Sequence, residues 1–314
     1  MEMEPLVSII IVTWNRKEDI LVTLQSIYEQ LYKNFEIIVV DNASIDRTME
    51  AIKEDFPEVN IIRLETNVGA SAGRNPGIQA AKGNIIFILD SDASVGKETI
   101  NKIVKKLRSR PEVGAIACKV VNAFTQELDR TAGWIFSERD KLDQNSEFLS
   151  FSFSECGCAF RKETLTRSGL FSESLFFGRE GEELSLRIWD SGDKILYYPN
   201  AIIYHRVSPE NRFYSGKREY FNVRNSLSIY LTKYTWWMMA FFLPVKIITS
   251  LIRGARKGHL RHIFRALLDV CLSLPALLRQ RKPIKNETAR SYIQLLREHG
   301  PLRWNITTWL KYKT

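Results

Sequence analysis

Asp90-Ser91-Asp92 closes the apolar run Ile85–Leu89, so two carboxylates one residue apart stand where a buried strand reaches solvent. Ionised carboxylates are hard oxygen donors suited to Mg²⁺ or Mn²⁺. A cation there could hold a diphosphate and make it a better leaving group. The same triplet suits a plain turn, because Asp and Ser are ordinary turn formers. Thr13, Asn15 and Arg16 end the run Val7–Val12 and could hold a nucleobase or ribose, while Asn15 alone would suit a helix N-cap. Asp41 follows the apolar run Phe35–Val40, where its carboxylate could accept a hydrogen bond from a base N–H or shape a turn.

Residues 67–77 form a small-residue segment running into a helix, and a helix start with Arg74 favours an anionic group. Its glycines, Gly69 and Gly73, lack the dinucleotide-binding spacing, and there is no Walker lysine followed by Ser or Thr. Glu180, Glu182 and Glu183 cluster at a helix start, where the macrodipole favours negative charge, and any of them could act as a deprotonating base. His205 follows a short apolar run and is either structural or a metal ligand.

Positioning these groups falls to alternating elements. Apolar runs at 6–12, 35–40, 60–64 and 85–89 read as strands, and helical spacing covers 17–31 and 70–81, with Asp46 capping a helix between the second and third strands. Continuous apolar strands alternating with amphipathic helices imply an α/β fold whose mostly parallel sheet is flanked by helices. Ligands of such sheets collect beyond the carboxyl ends of the strands, where the residues above lie. Residues 115–121, 157–160 and 195–198 read as further strands, and 182–190 as a helix. We divide the chain into a catalytic unit at 1–210, with a nucleotide half at 1–95 and an acceptor half at 96–210, and a helical region at 211–314. Trp134 and Phe136 either line the acceptor side or pack in a core.

Charge separates the two units. Residues 1–205 carry 24 Lys and Arg against 31 Asp and Glu, a net −7, and residues 206–314 carry 21 against 5, a net +16. So basic a region points to an anionic surface. Apolar stretches at 234–252 and 263–278, rich in Trp and Phe and flanked by Arg and Lys, make that surface a bilayer rather than nucleic acid. Pro244 and Lys246 interrupt the first stretch, so helices seated on the membrane surface are expected in preference to a spanning segment or a soluble cap. Cys118, Cys156, Cys158 and Cys271 lack zinc-site spacing and are expected to be reduced and buried. No secretory leader is visible at the start, and with the basic tail the expected location is the cytoplasm, peripheral on the inner face of the cell membrane.

Taken in order, VSIIIVTWNR, VVDNASIDRT, NVGASAGRNPGI, ILDSDA, GLFSESLFFGREGEELSLR and YPNAIIYH resemble the family-2 glycosyltransferases of GT-A fold over about residues 6–206. The resemblance implies that Thr13, Asn15 and Asp41 contact the base, and that Arg74 and Asn75 lie beside the pyrophosphate or sugar. It implies that Asp90 and Asp92 form the Asp-x-Asp motif, with Asp92 the more direct metal contact and Ser91 within the nucleotide-sugar site. His205 matches a position that completes the metal site in some members. Many members with such tails build surface polysaccharide or lipopolysaccharide, often as rhamnosyltransferases. The family's acidic block reads Glu-Asp-x-Asp-Leu-x-x-Arg with its second residue as base, and that slot here is Gly181. The expected activity is inverting, metal-dependent transfer from a nucleotide-diphosphate sugar to a hydroxyl of a glycan or lipid-linked acceptor. The alternatives are another nucleotide-sugar-processing enzyme or a catalytically silent nucleotide-sugar-binding protein.

Overall fold

The computed structural model describes residues 4–129, 144–207 and 215–299. Strands β1 (Val7–Thr13), β2 (Phe35–Asp41), β3 (Asn60–Arg63) and β4 (Ile85–Asp90) run parallel in the order β3-β2-β1-β4. They are joined by helices α1 (Lys17–Tyr28), α2 (Thr48–Asp55) and α3 (Gly69–Ala80). The sequence cause is plain in β1 and β4: Ile9, Ile10 and Ile11 and Ile86, Phe87 and Ile88 are almost entirely buried, because helices cover both sheet faces. Each such side chain contributes about 1.5–3 kcal/mol of burial. The core is therefore deepest directly beneath the strand ends that carry the polar residues. β3, expected to be a buried strand, is instead a half-exposed edge.

Beyond β4 the chain forms β5 (Ala93–Val95), α4 (Thr99–Ser109), β6 (Val113–Asn122), β7 (Phe148–Leu149), β8 (Gly157–Arg161), α5 (Lys162–Ser168), α6 (Glu180–Asp190) and β9 (Lys194–His205). The sheet runs β3-β2-β1-β4-β8-β6-β9-β5, with β7 added beside β9. β8 is antiparallel to both β4 and β6, while β6 and β9 are parallel, so the sheet is mixed with a parallel majority on its first side. Register does the positioning. Thr13 pairs with Asp41 and Val12 with Asp90, which brings three polar strand ends to one edge. Ala93 pairs with His205, so the residue before it, Asp92, sits beside that imidazole.

Helices α7 (Ser215–Lys233), α8 (Trp236–Lys257), α9 (Leu260–Arg279) and α10 (Asn286–His299) follow. Ile229, Tyr230, Tyr234, Met238, Ala289 and Tyr292 join the same buried cluster as the sheet, so the helical region is bonded to the catalytic unit by a shared core. Gly258 ends α8 at φ +70°, a left-handed conformation that glycine adopts without strain. Gly254 lets α9 come close: a Cβ there would lie on the Ile263 side chain.

Among the described residues α8 is the single helix long and apolar enough to cross a membrane. Its faces nevertheless differ. Met238, Lys246, Ser250 and Gly254 are buried against the protein, whereas Trp237, Phe241, Val245, Ile248 and Ile252 are exposed. α9 exposes Phe264, Leu268 and Leu272 four residues apart. Of the cysteines, Cys118, Cys156 and Cys158 are free and buried as expected, but Cys271 is exposed, because it lies on the outer side of α9 rather than in a core.

Candidate active site

Strand ends and the helix starts beside them build the site. At the β1–β2 end, Thr13 and Asp41 are fully buried. Asp41 accepts a hydrogen bond from the Ser44 N–H at 3.1 Å through Oδ1, and its Oδ2 lies 4.0 Å from Arg63 Nε. Among the described residues the Thr13 hydroxyl and Asp41 Oδ2 have no hydrogen-bond partner. Buried polar atoms left unpaired are costly, which makes such atoms at a strand end candidates for a ligand. Ser44 and Arg63 also line a recess of about 290 Å³ with Ile45, Arg47, Met49 and Glu50.

Asn15 does not cap α1. It adopts φ 52°, its Oδ1 accepts from the Ile45 N–H at 2.8 Å, and its own N–H donates to Ser44 Oγ at 2.9 Å. Asn15 thus ties the loop after β1 to the loop after β2. The N-cap of α2 is Arg47 rather than Asp46, which stands one residue earlier and still accepts from the Thr48 N–H at 3.1 Å.

Arg74, on α3, is nearly buried and bridges two acids: Nη2 lies 3.3 Å from Asp90 Oδ1 and Nη1 lies 3.2 Å from Glu180 Oε1. The guanidinium also sits 5.3 Å from the centre of the Phe171 ring. Burial pushes the Asp90 carboxyl above its usual range, with Arg74 opposing that shift and Asp92 adding to it. Asn75 ties α3 to the segment before α6: its amide donates to the Phe171 carbonyl at 3.0 Å and to Glu173 Oε1 at 3.3 Å, and its Oδ1 accepts the Phe171 N–H at 3.1 Å. Ser91 is buried, and its carbonyl accepts from the Thr23 hydroxyl at 2.9 Å.

Asp92 is held from two sides. Arg16 Nη1 lies 2.8 Å from Oδ2, and His205 Nε2 lies 3.4 Å from Oδ1. Arg16 also reaches Asp19 at 3.1 Å, so it serves this carboxylate pair rather than standing open beside a base. His205 Nδ1 bonds Asp129. Burial pulls the imidazole down, but its bonds to Asp129 and Asp92 outweigh this and raise it to about 9. Both ring nitrogens thus face carboxylates, which puts the imidazole directly against Asp92.

Among the described residues no three His, Cys, Asp or Glu side chains converge as a complete metal site. The donor chemistry still fits a hard cation. Asp90 keeps a carboxylate that is 38% exposed at the site, and Mg²⁺-type sites are commonly made from one or two carboxylates plus substrate phosphates.

The three α6 glutamates part company. Glu180 is buried beside Arg74, and its Oε2 is unpartnered. Glu182 faces the helical region through Arg179 at 2.7 Å and the Tyr234 hydroxyl at 3.4 Å. Glu183 is taken by Arg187 at 2.6 Å and by Lys233 at 3.3 Å. Of the three, Glu180 alone contacts the Arg74–Asp90 cluster, because successive helix residues point about 100° apart. The structure adds residues that the sequence reading passed over. Glu155, in the loop before β8, accepts a bond from the Gly181 N–H. Asp129 and Asp19 anchor His205 and Arg16. Trp134 and Phe136 lie outside the described residues.

The family model for glycosyl transferase family 2 matches residues 8–169, just over half of the 314. The chain belongs to that family. It is 35% identical over 121 residues to an uncharacterized glycosyltransferase of Haemophilus influenzae, an overlap covering 37% of this chain and 41% of that protein. It is 43% identical over 89 residues to the Escherichia coli UDP-Glc:alpha-D-GlcNAc-diphosphoundecaprenol beta-1,3-glucosyltransferase WfaP, covering 28% of this chain and 35% of that one. The chain thus spans well under half the length of these two relatives. Among solved structures it resembles the mannosyltransferase PcManGT from Pyrobaculum calidifontis, solved with GDP-Man and Mn²⁺. The TM-score is 0.57 at 21% identity, over 98% of this chain and 84% of that one. This family-2 chain therefore has the GT-A fold expected of it.

Proposed function

We propose that this family-2 protein is an inverting glycosyltransferase that moves a sugar from a nucleoside-diphosphate donor to an acceptor hydroxyl. One observation carries the reading. Three parallel strand ends bring Thr13, Asp41 and Asp90 to a common edge, with buried oxygens on the first two that lack a hydrogen-bond partner among the described residues and the Arg74 cation beside the third. The nucleoside sits at Thr13 and Asp41, where the recess lined by Ser44 and Arg63 opens, and Asn15 fixes the loops that shape it. The similarity to WfaP and PcManGT, whose names carry UDP-Glc and GDP-Man, supports a nucleotide sugar as donor.

Asp90 and Asp92 would hold Mg²⁺ or Mn²⁺, with His205 and Arg16 orienting Asp92. Such an ion, when bound, offsets charge on the leaving diphosphate. Arg74 keeps Asp90 in place and adds positive potential on the same side. A carboxylate on the acceptor side takes the hydroxyl proton as the new bond forms at the anomeric carbon, opposite the departing diphosphate.

The acceptor is a glycan or lipid-linked sugar, a reading supported by the similarity to WfaP, whose name carries GlcNAc-diphosphoundecaprenol. The exposed apolar stripes of α8 and α9, rimmed by Arg253, Arg256, Lys257, Arg261 and Arg265, lie in the headgroup region of an anionic membrane, on its cytoplasmic face. Partial burial of α8 against α7, with Lys246 on the inward side, favours lying on the membrane over crossing it.

Donor turnover tests the catalytic reading. The wild-type protein with Mn²⁺ should release nucleoside diphosphate from at least one of a panel of UDP-, GDP- and dTDP-sugars. Asp92→Asn should lose at least 100-fold while keeping its circular dichroism. Near-normal turnover in folded Asp92→Asn would remove the metal role.

A further inference from the structure

Glu155 stands outside every expected motif, yet it meets the start of α6 at Gly181. The Gly181 N–H donates to Glu155 Oε1. A Cβ built at Gly181 would lie 2.5 Å from that oxygen and 3.0 Å from the Phe153 carbonyl. The Glu155 carboxylate therefore occupies the space that a side chain at 181 would fill. By the resemblance, position 181 is the slot where the family's acidic block carries its base, and here a carboxylate from another segment stands in that space. The loop is fixed there on both sides: the Cys156 carbonyl accepts from the Asp90 N–H at 3.2 Å, and Ser154 Oγ accepts from the Cys156 N–H at 3.3 Å.

We propose that Glu155, and not an α6 glutamate, is the catalytic base of this protein, an inference that rests on the transferase reading above. Glu180 has its Oε1 on Arg74 and is almost fully buried. Glu182 and Glu183 are bound to Arg179 and to Arg187 with Lys233. Glu155 is half-buried, the N–H of Gly181 orients its carboxylate, and among the described residues it forms no ion pair with a cation. In the reaction the acceptor oxygen forms its bond to the anomeric carbon as the bond from that carbon to the phosphate oxygen breaks. The diphosphate leaves with that electron pair, and the acceptor proton passes to Glu155 and then to solvent.

The groups facing Glu155 are Glu180 from α6, Arg74 from α3 and Cys158 from β8. Burial first, and Glu180 second, push the Glu155 carboxyl up to about 8, with Arg74 opposing. A proton acceptor poised near neutrality is well matched to its task.

The experiment follows nucleoside-diphosphate release from the fastest donor of the UDP-, GDP- and dTDP-sugar panel with Mn²⁺, water serving as acceptor, from pH 6 to 9.5. Binding of the matching free diphosphate is measured by calorimetry. Glu155→Gln should lower kcat about 100-fold or more, bind the diphosphate within threefold of wild type, and lose the rise in rate that wild type shows towards pH 8. A Glu155→Gln protein with kcat within threefold of wild type and the same pH profile would overturn the assignment while leaving the transferase reading intact. A wild-type protein that binds no diphosphate and turns over no donor would overturn both. If Glu155→Gln loses its circular dichroism, Glu155→Ser and Glu155→Ser/Gly181→Asp decide. The pair returns an acid to the helix in the vacated space, so a tenfold gain over Glu155→Ser supports the proposal and no gain overturns it.

Discussion

Removing the Arg74 guanidinium while keeping its length, as in Arg74→Met, would expose the electrostatic design of the site. Arg74 lies 3.2 Å from Glu180 and 3.3 Å from Asp90. At an effective dielectric of about 20, each such pair corresponds to roughly 5 kcal/mol of gross Coulomb attraction. Desolvation of the three groups offsets most of it. The cost of losing one buried partner is therefore about 3–5 kcal/mol rather than the sum. Asp90 recovers part of its hydration, being 38% exposed, whereas Glu180 does not. The loss should fall mainly on Glu180. Without Arg74 the charge that opposes the upward push of burial on Asp90 is gone, so the variant is relatively most stable at low pH and loses stability as pH rises above the unfolded carboxylate range. Urea unfolding should then show Arg74→Met about 3 kcal/mol below wild type at pH 8 and appreciably closer at pH 5. Arg74→Met/Glu180→Gln should recover at least 1 kcal/mol of the deficit at pH 8. A deficit that is below 1 kcal/mol, or the same at both pH values, would refute the argument that Arg74 is the counter-ion of a buried acid.

Other outcomes follow from particular contacts. Gly69 has φ +87°, and a Cβ there would lie 2.2 Å from the Phe176 carbonyl oxygen, so Gly69→Ala should cost about 3 kcal/mol or more by urea unfolding and reduce donor binding through α3. His205 is raised to about 9 from 6.5, so its stabilising contribution is complete below pH 6.5 and is lost as pH rises through 9. Wild type should lose up to about 3 kcal/mol over that window, and Asp129→Asn should show a shallower fall in pH-dependent urea midpoints. Replacing Phe264, Leu268 and Leu272 with Glu should abolish flotation with liposomes containing phosphatidylglycerol while leaving donor turnover in solution unchanged. Flotation equal to wild type would remove the membrane surface as the partner of α9.

The parallel half of the fold was legible in the chain because a strand buried on both faces must be largely apolar, and 7–12, 35–40 and 85–89 are, with Ser8 and Glu36 the two exceptions. The same rule puts Asp41 and Asp90 at strand ends from the sequence alone. The α4 stripe of Ile100, Ile103, Val104 and Leu107 carried an equally clear helical period that the reading passed over. Exposure of Cys271 was not legible, since a thiol looks the same on either face of an amphipathic helix. Roles within the site depended on direction and partners instead of position. Three glutamates within four residues are equivalent as a string, yet helix geometry sends Glu180 to Arg74, Glu182 to Arg179 and Glu183 to Arg187. Asn75 and Arg16 look like ligand-binding groups until their hydrogen bonds are traced to Phe171 and to Asp92. Glu155 is 26 residues from Gly181 in sequence. Local sequence determines which stretches fold as buried strands and where each one ends. The partner a charged side chain finds is decided by long-range packing, because a carboxylate or guanidinium taken from water goes to whichever opposite charge or N–H the folded chain places within reach.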